Sequence, residues 1–248
     1  MSREGTGERT APRTGALVFG GTGHVGAAVL RGLARAGVPA AFTYLASADR
    51  AAAMATELSM RAMRLDLADA AAIRELFRVL DSEGQIPDVF VHAAAVVEPL
   101  PLDAITDAGW DAMHAVNLRS IFIACQELAR RWTARGREGH IVLTAALDGV
   151  HAVQSPLHFA TSQAGRVGLA RTLAKELGPR GIRVNVVTLG VLDGGISRGL
   201  DPGLRADYLK FSAMGRVGAA DEAARPILWL ALENSYMTGS ILPVTGGL

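Results

Sequence analysis

The chain has 248 residues, half of them hydrophobic and a fifth charged, with a formal net charge of +1. That length suits one large α/β domain with ample apolar material for a core, and the near-zero charge leaves no electrostatic footprint for nucleic acid. No run of about 18 apolar residues is present, which argues against a membrane span. The single cysteine, Cys125, excludes an internal disulfide and fits a reducing cytoplasm.

Met1–Thr14 is polar, carries no signal-peptide pattern and is expected to be a disordered tail ahead of a domain over 15–248. Short apolar runs at Ala16–Gly20, Pro39–Leu45, Met63–Leu65, Pro87–His92, His140–Thr144, Arg183–Leu189 and Ile241–Val244 read as strands. Helical patterns alternate with them at Val25–Ala36, Ala48–Leu58, Ala70–Leu80, Ala108–Ala134, Pro156–Leu177 and Asp221–Leu232. That alternation predicts an α/β fold, a single doubly wound parallel sheet of seven strands of the Rossmann kind. The stretch Asp193–Gly218 breaks the pattern: six glycines and Pro202 mark it as a long mobile excursion, the usual composition of a lid over a binding site.

Strand one runs straight into Gly20-Gly21-Thr22-Gly23-His24-Val25-Gly26 and then into a helix. Glycines allow a tight turn and a close approach to a pyrophosphate, whose charge is favoured at the helix N-terminus. A purely structural turn would also need them, but the strand–turn–helix context favours a dinucleotide. An NAD site places an acid at the tip of the second strand. Here the tip reads Phe42-Thr43-Tyr44-Leu45-Ala46-Ser47, and the first acid after Gly26 is Asp49. A 2′-phosphate would meet no carboxylate, and Ser47, Arg50 and His24 are available to donate to it, so NADPH is expected over NADH. Ser47 would serve equally well as a helix cap, and Arg50 as a solvated side chain.

From Thr14 to Leu248 the chain resembles a short-chain dehydrogenase/reductase. The resemblance rests on the glycine-rich turn, Leu65-Asp66-Leu67, Val116-Asn117-Leu118, Arg183-Val184-Asn185-Val186, Gly215-Arg216-Val217-Gly218, Asp221-Glu222, Thr238-Gly239 and Gly246-Gly247, in that order. It implies adenine contacts at Asp66 and Leu67, and backbone contacts to cofactor at Ala94, Ala95, Gly190 and Leu192. It also implies a dimer or tetramer formed through Ala108–Ala134 and Pro156–Leu177. Asp66 would otherwise be a strand-end turn residue. Asn117 matches an asparagine that supports the catalytic lysine through water; with no lysine here, a structural role competes.

The reaction of that family needs a serine, a tyrosine and, four residues after it, a lysine. Aligned through Gly139-His140-Ile141-Val142, these positions carry Ala146, Phe159 and Gln163. No Tyr-x-x-x-Lys occurs anywhere in the chain. Phenylalanine has no proton to transfer, alanine cannot bond an oxygen, and glutamine carries no charge, although Gln163 retains donors for a nicotinamide ribose. Asn-Asn-Ala-Gly after strand four is replaced by His92-Ala93-Ala94-Ala95, with His92 either a ligand contact or a core residue. The replacement donors nearest in sequence are His151, Ser155 and His158, the last directed away from Phe159 around the helix. Tyr208 on the excursion is either an exposed lid residue or a pocket residue on closure. Ala146, His151, Ser155, Phe159 and Tyr208 are thus the expected pocket lining, and no metal ligands are evident.

Three functions follow. The first is an NADPH-dependent ketoreductase whose substrate, a flat aromatic ketone, brings its own proton donor. The others are a non-catalytic dinucleotide-binding protein and an isomerase or dehydratase. Arginine outnumbers lysine 23 to 2, a balance compatible with a GC-rich actinobacterial source and a tailoring enzyme of antibiotic biosynthesis. The pattern resembles the atypical angucyclinone ketoreductases.

Overall fold

A computed structural model describes residues 15–248; the expected tail over 1–14 lies outside the described residues. Seven strands form one parallel sheet: β1 (Ala16–Phe19), β2 (Ala40–Tyr44), β3 (Arg61–Arg64), β4 (Val89–His92), β5 (Gly139–Ala146), β6 (Ile182–Leu189) and β7 (Ile241–Val244). Their order is β3-β2-β1-β4-β5-β6-β7. The direction of winding reverses between β1 and β4, paired from Ala16↔Val89 to Phe19↔His92. At such a switch point the flanking loops diverge and leave a crevice beyond the carboxyl ends of the strands.

Helices α1 (His24–Arg35), α2 (Ala48–Leu58), α3 (Ala70–Ser82), α4 (Asp107–His114), α5 (Ser120–Ala134), α6 (Leu157–Leu177), α7 (Pro202–Phe211) and α8 (Ala220–Leu232) cover the sheet. Period-two alternation in β1 divides the core. Leu17 and Phe19 join Phe77, Ile121, Trp132 and Val167 on one face, while Val18 joins Leu30, Met54, Phe42 and Ile227 on the other. Each fully buried large aliphatic or aromatic side chain contributes roughly 1.5–3 kcal/mol relative to exposure, so both faces are strongly held.

Two sequence expectations change. The helix expected over Ala108–Ala134 is interrupted by a π-helical turn at Ala115–Arg119. The wider turn accompanies a set of bonds that Asn117 makes to a neighbouring loop, a tertiary demand invisible to periodicity. The excursion after Asp193 is not structureless: it contains a 3-10 turn (Gly195–Gly199) and helix α7. Asp201 caps α7 by accepting from the Gly203 and Leu204 amides, with Pro202 at the first helical position. Glycine content obscured that start signal.

Candidate active site

The crevice between β1 and β4 is made of backbone. Gly20 has φ +78, and a Cβ there would come within 2.8 Å of the Ala94 N, Cα and Cβ. At Gly26 a Cβ would sit 2.2 Å from the Gly20 carbonyl oxygen. The turn is tied to β2, with the Gly21 amide donating to the Thr43 carbonyl at 2.9 Å. Gly23 caps α1 without any side-chain bond, and no acid occupies the first helical turn. The amides of His24, Val25 and Gly26 therefore have no intrahelical partner. Beside them, Thr22 is partly exposed. An uncapped, acid-free helix start behind a close glycine turn fits a pyrophosphate.

His24 does not face the β2 tip. Its Nε2 lies 2.6 Å from the Asp193 Oδ1, across the mouth of the crevice, and a Cβ on Gly194 would strike its ring. It is a clasp to the excursion rather than a donor beside Ser47 and Arg50.

At the β2 tip, Tyr44 packs against the core. Ser47 precedes α2 without forming a side-chain cap bond, and Arg50 is exposed. The structure adds a residue that sequence reading missed. Arg64, ending β3, donates from Nε to the Leu45 carbonyl at 3.3 Å, which brings a second guanidinium to the tip. Adjacent strands set that position, so no motif along the chain marks it. Asp66 accepts from the Ala68 amide at 2.8 Å, a local turn that leaves its second oxygen available, and Leu67 is buried.

After β4 the chain passes Ala94 and Ala95 and is held by Asn117. The Asn117 Oδ1 accepts from the Val96 amide at 2.9 Å, and its Nδ2 donates to the Val96 carbonyl at 2.9 Å and to the Ser162 Oγ at 3.1 Å. His92 is fully buried, its Nε2 2.9 Å from the Ser120 Oγ. Burial, with the positive charge of Arg166 as the second cause, holds its pKa well below the ordinary histidine value. It is a neutral core residue, not a ligand contact.

The β5–α6 end is different in kind. Phe159 is buried, and the Ala146 amide donates to the Gln163 Oε1 at 3.1 Å. Gln163 is 1% exposed and its Nε2 donates to the Ser162 Oγ, so the donor expected to reach a ribose is committed inward. His158 is fully buried, and neither ring nitrogen is bonded among the described residues. His151 lines a cavity of about 350 Å³ with Val167, Arg171, Thr188, Ile241 and Pro243. Neither Ala146 nor Phe159 lines that cavity.

Ser155 donates to Asp148 in a very short contact. Asp148 is a second residue missed from sequence: burial raises its pKa above the ordinary aspartate value, against the lowering effect of Ser155. No motif along the chain marks a carboxylate at that position.

Tyr208 is 7% exposed and donates to the Thr245 carbonyl at 2.7 Å. It packs on Gly190, where a Cβ would meet its hydroxyl at 2.3 Å. Helix α7 turns the ring inward, so it is not an exposed lid tyrosine. Leu192 is buried, its amide donating to the Ser197 Oγ. The ends of the excursion are joined by Asp193 N–H to the Gly218 carbonyl and Gly218 N–H to the Val191 carbonyl. Among the described residues no group of three or more acidic, histidine or cysteine side chains could hold a metal, and no helix is long and apolar enough to cross a membrane.

A family model described as enoyl-(acyl carrier protein) reductase matches residues 22–248. The chain is 30% identical over 236 residues to the 3-oxoacyl-[acyl-carrier-protein] reductase of Escherichia coli, covering 94% of this chain and 96% of that one. It is 30% identical to a dog (3R)-3-hydroxyacyl-CoA dehydrogenase, covering 94% and 95%. Among solved structures, a short-chain dehydrogenase/reductase from Serratia marcescens superposes with a TM-score of 0.84 at 32% identity, covering 94% of this chain and 96% of its own. With the reversed parallel sheet and the backbone crevice at its switch point, these matches place the chain in the short-chain dehydrogenase/reductase family of oxidoreductases.

Proposed function

We propose that the protein is an NADPH-dependent ketoreductase acting on a ketone of an aromatic polyketide, with the proton supplied by a phenol of the substrate. One contrast carries this reading. The crevice keeps its free helix-start amides, whereas Gln163, Ser162 and Asn117 on the β5–α6 side spend their polar atoms on one another and on the main chain. The site is built to bind and orient and has no side-chain acid where Phe159 stands.

Bound NADPH supplies a hydride. The chain's residues then have two tasks. The amides of His24, Val25 and Gly26 would receive the pyrophosphate, and Ser47, Arg50 and Arg64 would receive the 2′-phosphate. Asp66 and Leu67 would contact the adenine, and Ala94, Ala95, Gly190 and Leu192 would line the nicotinamide half. With Phe159 buried, the half-buried Ala146 at the end of β5 offers the apolar contact for a planar ring, and Ile196, Phe211 and Met214 are exposed on the excursion. As the carbonyl oxygen gains charge, a phenol hydrogen-bonded to it breaks its O–H bond and passes the proton across. The product is an alcohol and a delocalised phenolate, which solvent reprotonates. This is rate enhancement by proximity and orientation. A homo-oligomer formed through α5 and α6, where Phe122 and Leu157 are exposed, and a cytoplasmic location complete the reading.

The test is NADPH oxidation with a panel of hydroxylated polycyclic ketones, using the wild type and the Phe159→Tyr/Gln163→Lys double variant. Turnover is expected with ketones flanked by a phenol, and the double variant is expected to gain less than the roughly 10²–10⁴-fold that a working general acid supplies. A gain in that range would return the proton to the protein. Tight NADPH binding with no turnover of any ketone would assign the chain a non-catalytic binding role.

A further inference from the structure

Arg166 lies on α6, three residues after Gln163, and is fully buried. Its donors end on the main chain of three separate segments: Nε on the Asn117 carbonyl at 2.7 Å, Nη1 on the Thr144 carbonyl at 2.8 Å, and Nη2 on the Ala94 carbonyl at 2.8 Å. No carboxylate pairs with it among the described residues. Burial draws its pKa down to about 9, still above neutrality, so the guanidinium is charged at pH 7. Taking an ion out of water is costly, and three carbonyl dipoles take the place of a counter-ion here. A buried cation without a counter-ion leaves positive potential around it.

The three carbonyls are not arbitrary. Ala94 is the residue against which the Gly20 turn closes. Asn117 holds the loop after β4 through both atoms of Val96. Thr144 ends two residues before Ala146 on β5. One side chain thus ties together the loop after β4 that meets the Gly20 turn, the π turn and strand β5.

We propose that Arg166 is the positioning residue of this site: it fastens the Ala94, Asn117 and Thr144 peptides and supplies the fixed positive charge that position 163 lacks. The charge favours the anionic cofactor on binding and the phenolate left by reduction. This rests on the reduction proposed above, and its test separates the two.

NADPH affinity is measured by cofactor fluorescence without substrate, beside melting temperature and steady-state kinetics, at a temperature where circular dichroism shows each variant folded. Arg166→Met should weaken NADPH binding by about tenfold, the scale of one charge removed at partly screened range. Arg166→Lys keeps the charge but not the fork. It should hold the affinity and the KM for NADPH near wild type, while kcat falls by as much as about 10²-fold through misplacement of these peptides. The decisive comparison is Gln163→Lys in two backgrounds. Beside Arg166 it sets a second buried cation one turn away, and should lower the melting temperature without improving affinity. In the Arg166→Met background it should restore most of the lost affinity.

Equal effects of Gln163→Lys in both backgrounds would overturn the proposal. So would Arg166 variants that lose thermal stability yet keep wild-type affinity, KM and kcat per folded molecule. If Arg166→Met does not fold, the split between KM and kcat in Arg166→Lys decides alone. Wild-type protein that fails to bind NADPH overturns this inference and the proposed reduction together. Wild-type binding and turnover with unaffected Arg166 variants overturns this inference only.

Discussion

The two ends of the crevice are built by different means. At β1 and α1 the working surface is main chain, shaped by what is missing: Gly20 and Gly26 lack the Cβ atoms that would strike Ala94 and the Gly20 carbonyl. At β5 and α6 the surface is side chain, and Ser162, Gln163 and Arg166 are bonded to one another or to the backbone, as is Asn117 beside them. A backbone site needs only the right turn, so it survives while the neighbouring chemistry changes. A side-chain site depends on three or four identities, and substitution of each removes a function. Under the proposed function, the difference accounts for a backbone crevice kept beside an end where Phe159 and Gln163 supply no acid.

The comparison breaks first at the glycines. Gly20→Val and Gly26→Leu should each weaken NADPH and NADH alike by about 100-fold, since a side chain would occupy the approach to the turn. Isothermal titration checks this, and unchanged affinity with an unchanged melting temperature would mean that the crevice is not the binding surface.

Selectivity between cofactors is the next test. Arg50→Ala combined with Arg64→Ala should raise the dissociation constant for NADPH by about tenfold, the scale of a lost charge-assisted bond, and leave NADH unaffected. Replacing Ala46 or Ser47 by Asp should shift the preference toward NADH. Equal loss for both cofactors would remove the 2′-phosphate from the β2 tip.

Much of this was legible in advance. The strand–helix alternation and the glycine turn are local signals, and each of the seven strands overlaps an apolar run that predicted it, although β3 (Arg61–Arg64) begins two residues before the expected Met63–Leu65. The crevice follows from topology. What stayed hidden depends on distant partners. Arg64 reaches the β2 tip only because β3 lies beside β2. The inward roles of Gln163 and Tyr208 come from contacts 17 and 37 residues away in sequence. Arg166 reads as an ordinary helical arginine until the fold places three carbonyls around it.

Between the two ends runs the 193–218 excursion. Its clasp to α1, His24 with Asp193, touches the cofactor end, while Tyr208 is anchored near Gly190. We expect hydrogen exchange to be fast at 193–200 in the free protein and slower with NADPH and a ketone bound, as for a lid that excludes water, with α7 less affected. Equal, strong protection in both states would contradict closure.

The smallest effect is expected where the excursion ends. The Glu222 carboxylate accepts from Arg216 at 2.6 and 2.7 Å and from the Ala219 amide at 2.9 Å, and the Arg216 bonds chiefly hold its pKa down at about 2. Because the folded value lies below the unfolded one, its stabilisation is full above the ordinary glutamate range and is lost as pH falls toward 2. Glu222→Gln should flatten the acid limb of a melting-temperature profile slightly, the pair being solvent-exposed. A steeper acid limb in the variant would contradict this.

The central claim is that the protein positions and the substrate protonates. It is tested most directly by following NADPH absorbance with two ketones identical except at the oxygen beside the carbonyl, one a free phenol and the other its methyl ether. The account predicts turnover of the phenol and none of the ether, with the ether still binding as a competitive inhibitor. Turnover of the ether at a comparable rate would contradict it and point to a proton from Asp148 and Ser155 or from a bound water.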